Sequence, residues 1–149
     1  MAKRALDCRM PSVNVQMVTD LTQQLHAFFE LLDESRYEAL LAKFAPDARW
    51  LRQGRWLEGH AAIRAALQAR PATMRVRHVI SNLQVEAEQG GEVALRCYMT
   101  ALRQVGDAAP SLFRLNLVSC IYRREADGWL LVEQQLVPEF EFQVPRTTS

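Results

Sequence analysis

Met74-Arg-Val-Arg-His-Val-Ile-Ser-Asn-Leu-Gln-Val-Glu-Ala87 alternates β-branched or apolar residues with polar ones, the pattern of one long strand. Strand side chains point to opposite faces at period two. Val76, His78, Ile80 and Asn82 are therefore expected on one face, and Val79, Ser81, Leu83 and Val85 on the other. Both faces carry enough apolar residues to be half buried. His78 and Asn82 must then find partners or do chemistry, because a buried polar group left alone is costly.

Before this strand the chain reads as helical. Val18, Leu21, Leu25, Phe28 and Leu32 recur at helical spacing, with Phe29 widening the stripe. That long helix is expected to stop at Asp33-Glu34. Ser35-Arg-Tyr-Glu38 has the form of a capping box opening a short second helix, whose apolar face is Tyr37, Leu40 and Leu41. Pro46 disfavours the α conformation at Ala45, so this helix should end by Phe44. A hairpin is expected over 47–58 with Gly54 in its turn, then a third helix from Gly59 or His60 to Arg70, closed by Pro71. After 74–88 come three more strands, 92–103, 112–124 and 129–138, separated by Gly-containing turns. Helices first and long antiparallel strands after them is an α+β layout. The three N-terminal helices should pack on a strongly curved sheet, leaving a cone-shaped hollow for a ligand. Residues 1–14 read as an arm, 15–140 as a single domain and 141–149 as a polar, fraying tail.

With 149 residues and a net charge of +1, the chain is of one-domain size and lacks the basic balance of a nucleic-acid-binding domain. Its arginines are scattered rather than clustered, and most of them read as solvated sheet edges. Cys8, Cys97 and Cys120 are far apart and odd in number, which fits free thiols in a reducing compartment. His26, His60 and His78 lack zinc-ligand spacing, so no metal is expected. The first residues lack the apolar run of a signal peptide, and no window is apolar enough to span a membrane. The expectation is a cytoplasmic protein with no membrane or nucleic-acid partner.

Four segments then carry a resemblance: Phe28-Phe-Glu-Leu-Leu-Asp33 with Tyr37-Glu-Ala-Leu-Leu-Ala-Lys-Phe-Ala-Pro-Asp47, Leu57-Glu-Gly-His-Ala-Ala-Ile63, Arg77-His78-Val-Ile-Ser-Asn82, and Asp127-Gly-Trp129. In this order they resemble the NTF2-like superfamily, in its SnoaL-like and scytalone dehydratase-like branch, over about residues 15–140. The resemblance implies the cone-shaped α+β fold. It also implies a lyase or isomerase without metal or organic cofactor, acting on a small cyclic, aromatic or polyketide-like molecule in a hydrophobic pocket. In the dehydratase pattern an aspartate closing the first helix pairs with a histidine early on the first long strand, positions that Asp33 and His78 occupy. A carboxylate on one ring nitrogen would fix the tautomer and leave the other nitrogen to move a proton. Asn82, about 13 Å further along the strand, would anchor the far end of the substrate.

The chain departs from that pattern at three places. Leu32 precedes Asp33 where the pattern has a tyrosine, Arg52 stands at a second tyrosine position, and no histidine occurs around Cys97 to Met99. Against the steroid-isomerase branch, Phe28 replaces the helix tyrosine, and Leu51 or Arg52 falls where the aspartate base would be. A phenyl ring donates no hydrogen bond and an arginine is no base near neutrality. The small subunits of ring-hydroxylating dioxygenases share the Arg77-His78…Asn82 strand and the Tyr122…Trp129 hairpin. In that alternative the domain is a non-catalytic binding or scaffold module.

Other residues have a structural and a functional reading. His78 is either a satisfied core histidine or an acid–base catalyst, and Asp33 either a turn residue or its partner. Arg114 and Asn116, on one strand face, would grip a carboxylate or phenolate if that face looks into the cavity, and would be surface groups otherwise. Trp50, Phe29 and Tyr37 are expected as substrate contacts on the pocket wall, with Trp56 and Trp129 beside them in core and wall. His26 is expected to be structural, His60 to face solvent, and Cys97 and Cys120 to be small buried hydrophobes. The face of Val79, Leu83 and Val85 would need a cover, which predicts a homodimer through the sheet.

Overall fold

A computed structural model describes residues 14–143. Helix α1 (Val15–Asp33) is followed by α2 (Tyr37–Leu41), a hairpin of β1 (Phe44–Arg52) and β2 (Arg55–Glu58), and α3 (Gly59–Gln68). The long strands β3 (Met74–Gln89), β4 (Glu92–Val105), β5 (Ser111–Glu125) and β6 (Gly128–Glu141) complete the chain. The expected arm over 1–13 and the tail from 144 lie outside the described residues. Asn14 belongs to α1, because its side chain caps the helix by accepting from the Gln16 N–H at 2.9 Å.

All six strands form one sheet in the order β2-β1-β6-β5-β4-β3. β3 to β6 are a meander of antiparallel neighbours, as expected. The closing β1–β6 pair is parallel, a joint that hydrophobic pattern alone does not reveal. The sheet is curved and unclosed. Register shifts in β3, between Ala101 and Leu102, between Leu115 and Asn116, and between Ile121 and Tyr122 are the bulges that bend it. Pro46 lies where β1 skips between its Phe44 and Arg49 pairings to β6, so its missing N–H costs no ladder bond.

The helices cover the concave side. α1 buries Leu21, Leu25, Phe28, Phe29, Leu31 and Leu32. Phe28 sits at the centre, its ring edge-on to Phe29, Phe44 and Trp50 at centroid separations of 5.2, 5.4 and 5.8 Å. Such contacts add about 0.5–1.5 kcal/mol each to area burial. Ile63 and Leu67 bring α3 onto the same core.

Two local readings are corrected. The Ser35…Glu38 capping box does not form: Arg36 is the N-cap of α2 and no side chain caps it. Ser35 instead adopts a left-handed conformation (φ 56°). Its N–H donates to the Leu32 carbonyl and the Arg36 N–H to the Leu31 carbonyl, a Schellman ending of α1 with serine in glycine's usual place. The second correction concerns β3. Asn82 also has a positive φ, 53°, and the β3–β4 register shifts between Ser81 and Gln84. This bulge reverses the strand's parity. Ile80 faces in before it, and Leu83 and Val85 turn in after it and pack on the core. Of the three apolar residues expected to share the outer face, only Val79 stays there, 52% exposed.

Candidate functional site

Asp33 is the last residue of α1, and the Schellman turn aims its side chain at β3. One carboxylate oxygen accepts from the His78 backbone N–H at 2.9 Å. The other meets the ring Nδ1 at 2.5 Å. A carboxylate can only accept, so Nδ1 carries the proton, and in the neutral ring the lone pair is then on Nε2. Both side chains are more than nine-tenths buried. Phe29 packs against the imidazole with centroids 5.0 Å apart. Arg77, on the opposite face of β3, pairs with Glu34 at 2.8 Å and so ties the end of α1 to the strand. Nε2 has no hydrogen-bond partner among the described residues.

His78 forms part of the wall of a cleft of about 300 Å³ on the concave side of the sheet, at the lower end of the size range of ligand pockets. The sheet register shows how the cleft arises. His78 pairs with Ala101, which pairs with Arg114, one inward row across β3, β4 and β5. The next row runs Ile80, Met99, Asn116, Pro138. Ala101 is the small member of its row, and the space it leaves lies between the imidazole and the guanidinium. Trp50, Leu32, Met74 and Leu136 supply most of the remaining apolar wall.

The face of Arg114 and Asn116 therefore looks inward, and both residues line the cleft. Asn116 is only 5% exposed, and its amide makes no hydrogen bond to another described residue. Trp50, expected as a substrate contact, borders the cleft but is fully buried, with the Arg52 guanidinium stacked over its ring. Phe29 and Tyr37 do not border it: Phe29 lies behind His78, and Tyr37 accepts from Arg70 at 3.4 Å. Asn82 is corrected most. It is exposed, at the bulge, beside a separate shallow depression with Gln84, Arg96 and Tyr98. The expectation that it shares a face with His78 fails because the bulge intervenes. Trp56, expected in core or wall, is 39% exposed under the Arg49 guanidinium. His60, expected to face solvent, is partly buried with Nε2 3.0 Å from the Phe44 carbonyl.

Sequence reasoning missed Arg52, Arg70 and Arg103, which line the cleft with Arg114. Nothing in the sequence marks Arg52 and Arg70 as cleft residues, because an arginine on a strand or at a helix end is ordinarily solvated. For Arg103 a signal was available, since it lies two residues from Ala101 and four from Met99, an even step on an inward face. Arg70 follows α3 and reaches back to donate to the Leu32 carbonyl at 2.7 Å. Burial first, and then the positive charge of Arg70, lower the pKa of Arg52 from the usual arginine value; Arg114 adds to the effect. Deeper in the core, burial pushes the Cys97 thiol up to about 12 and the Cys120 thiol higher still. Among the described residues no group of three or more His, Cys, Asp and Glu side chains converges as metal ligands would. No described helix is long and apolar enough to cross a membrane.

The SnoaL-like domain model matches residues 14–134. The chain belongs to the SnoaL-like family. A search of the curated proteins finds no match. Among solved structures, ActVI-ORFA from Streptomyces coelicolor is similar at 20% identity and a TM-score of 0.76, covering 84% of this chain and 98% of that one. A Catenulispora acidiphila protein solved in complex with S-DNPA is similar at 20% identity and a TM-score of 0.76, over 85% and 96% of the two chains. The beta subunit of the benzoate 1,2-dioxygenase from Burkholderia mallei gives 15% identity and a TM-score of 0.72, over 87% and 93%. At these identities the likeness is one of fold. It is the cystatin-like, NTF2-like α+β architecture that the SnoaL-like chain was expected to adopt.

Proposed function

We propose that this SnoaL-like protein is a cofactor-free lyase or isomerase acting on a small cyclic, aromatic or polyketide-like molecule. His78 is its acid–base catalyst and Asp33 orients it. One observation carries the reading: a buried Asp33–His78 pair, held at two points, whose histidine forms part of the wall of a cleft. Nε2 takes a proton from carbon next to a carbonyl, and the electron pair moves onto the carbonyl oxygen. In this reading the Asn116 amide donates to that oxygen. Nε2–H then returns the proton, either to a leaving hydroxyl, expelled as water, or to another carbon. The Asp33 carboxylate stabilises the imidazolium in between. The complex of the similar Catenulispora protein with S-DNPA supports ligand binding in such a fold.

The test is hydrogen–deuterium exchange of 2-tetralone in D2O, followed by proton NMR. The protein should accelerate exchange, and His78→Ala should lose roughly 10²-fold or more of that acceleration, the usual size of general acid–base help. Exchange unaffected by the substitution would sink the reading.

A homodimer through the sheet remains part of the proposal, on different residues from those first expected. With Leu83 and Val85 turned inward, the outer face still carries a row of Val79, Thr100, Leu115 and Phe140 across four strands. Phe140 is 60% and Val137 45% exposed. A second copy would cover them, and a monomer in solution scattering would reject this. The scaffold alternative draws on the same outer face and on the likeness to a dioxygenase beta subunit. It predicts no acceleration of exchange by the wild-type protein.

A further inference from the structure

Four of the residues lining the cleft are arginines, Arg52, Arg70, Arg103 and Arg114, and none is an aspartate or glutamate. The chain as a whole carries a net charge of only +1, so this is a local concentration of positive charge and not the mark of a basic protein. Their partners are incomplete. Arg52 stacks over Trp50 at 5.3 Å and Arg103 over Phe113 at 4.0 Å. Neither forms an ion pair among the described residues. Arg70 spends one nitrogen on the Leu32 carbonyl and the Tyr37 hydroxyl, while its buried Nε has no partner. Arg114 has a carboxylate near it, Glu141 at 3.4 Å, but that side chain is 65% exposed at the rim. Guanidinium groups stay charged, and like charges gathered in a low-dielectric hollow repel one another unless an anion joins them.

We propose that the cleft selects a substrate bearing a carboxylate, received by Arg52, Arg70 and Arg114 while its rings lie against Met74, Phe113 and Leu136. The planar guanidinium fork matches a carboxylate in two parallel hydrogen bonds. The mostly apolar remainder of a 300 Å³ cleft fits a small ring system, not a second charged group. His78 and Arg114 share a sheet row with one strand between them, roughly 10 Å apart at the backbone. A ring or two fits that span. The position of the reacting carbon rests on the His78–Asp33 reading, whereas the preference for an anion rests on the arginines alone.

Calorimetric titration of the wild-type protein with 2-naphthoate and with 2-naphthamide, a neutral molecule of nearly the same shape, tests this. The acid should bind at least about tenfold more tightly, as a charge-assisted contact implies. Its advantage should shrink at high salt, and in Arg52→Gln and Arg114→Gln. Equal binding of acid and amide, or no binding of the acid, overturns the proposal. So does an advantage indifferent to salt, and tighter binding of 2-naphthyl phosphate overturns the choice of carboxylate. The salt and amide comparisons need no variant, so they stand even if an arginine substitution unfolds the protein. His78→Ala separates the two proposals: it should abolish proton exchange and keep the preference for the acid.

Discussion

Asp33 holds His78 at two points, accepting from its backbone N–H at 2.9 Å with one oxygen and from its ring Nδ1 with the other. The first contact fixes where the strand passes the end of α1. The second fixes the tautomer. One carboxylate thus couples a fold contact to a chemical one, and a substitution there should show both effects.

Asp33→Asn keeps the shape but replaces one accepting oxygen by an amide nitrogen, which donates and cannot accept. Stability should fall by about 1–3 kcal/mol, the cost of a buried donor left unpaired, read as a lower urea midpoint with an unchanged slope. The ring should lose its fixed tautomer, seen in the nitrogen-15 shifts of His78, and proton exchange should drop with it. A variant with unaltered shifts and exchange would show that the carboxylate is only a clamp between helix and strand.

Asn82 calls for the opposite pattern. Its φ of 53° lies in the region glycine tolerates and β-branched residues resist. Asn82→Gly should change stability by less than about 0.5 kcal/mol, while Asn82→Val should cost about 1–3 kcal/mol. Neither should alter the affinity for 2-naphthoate, because the residue lies outside the cleft. A specific loss of affinity in the stable glycine variant would return Asn82 to the site.

These two residues mark what could be read from the chain. The elements of the fold were legible because each is a long run with a clear period: helical in α1, alternating in β3 to β6. Asp33 and His78 were legible because they fall at fixed landmarks, the end of a helix and the start of a strand. What failed was parity across a bulge. One left-handed residue turned Leu83 and Val85 inward and Asn82 out of the cleft, and an asparagine in a strand does not announce that by itself. The arginines failed for another reason. A charged residue on a strand is ordinarily solvated, and only the folded sheet shows that Arg103 and Arg114 meet Arg52 and Arg70 across a hollow.

The buried thiols give a pH dependence with a definite sign. Burial raises the Cys97 pKa from the usual thiol range to about 12, and raises that of Cys120 as well. The unfolded chain therefore loses these protons first as pH rises. Their contribution to stability should be constant below about pH 8.5, the ordinary thiol value, and fall as pH rises towards about 12. The limiting slope is about 1.4 kcal/mol per pH unit per thiol. Urea midpoints measured up this range should fall less steeply in Cys97→Ala. In a Cys8→Ser background, neither remaining thiol should react with iodoacetamide at neutral pH until urea is added. Rapid labelling of the native protein would mean that Cys97 is open to solvent.

Ala101 decides whether there is a cleft at all. It is 3% exposed and stands between His78 and Arg114 in the row that crosses the sheet. Any larger residue there projects into the hollow, where open space can take it without displacing the core. Ala101→Leu should therefore leave the urea midpoint within about 1 kcal/mol of wild type, below the usual cost of overpacking a filled core. It should weaken 2-naphthoate binding by tenfold or more and slow 2-tetralone exchange in step, since both molecules need the same space. His78→Ala, by contrast, should slow exchange alone. If Ala101→Leu lowers stability sharply with no effect on binding, that row is packed core, and the ligand site has to be sought elsewhere on the concave face.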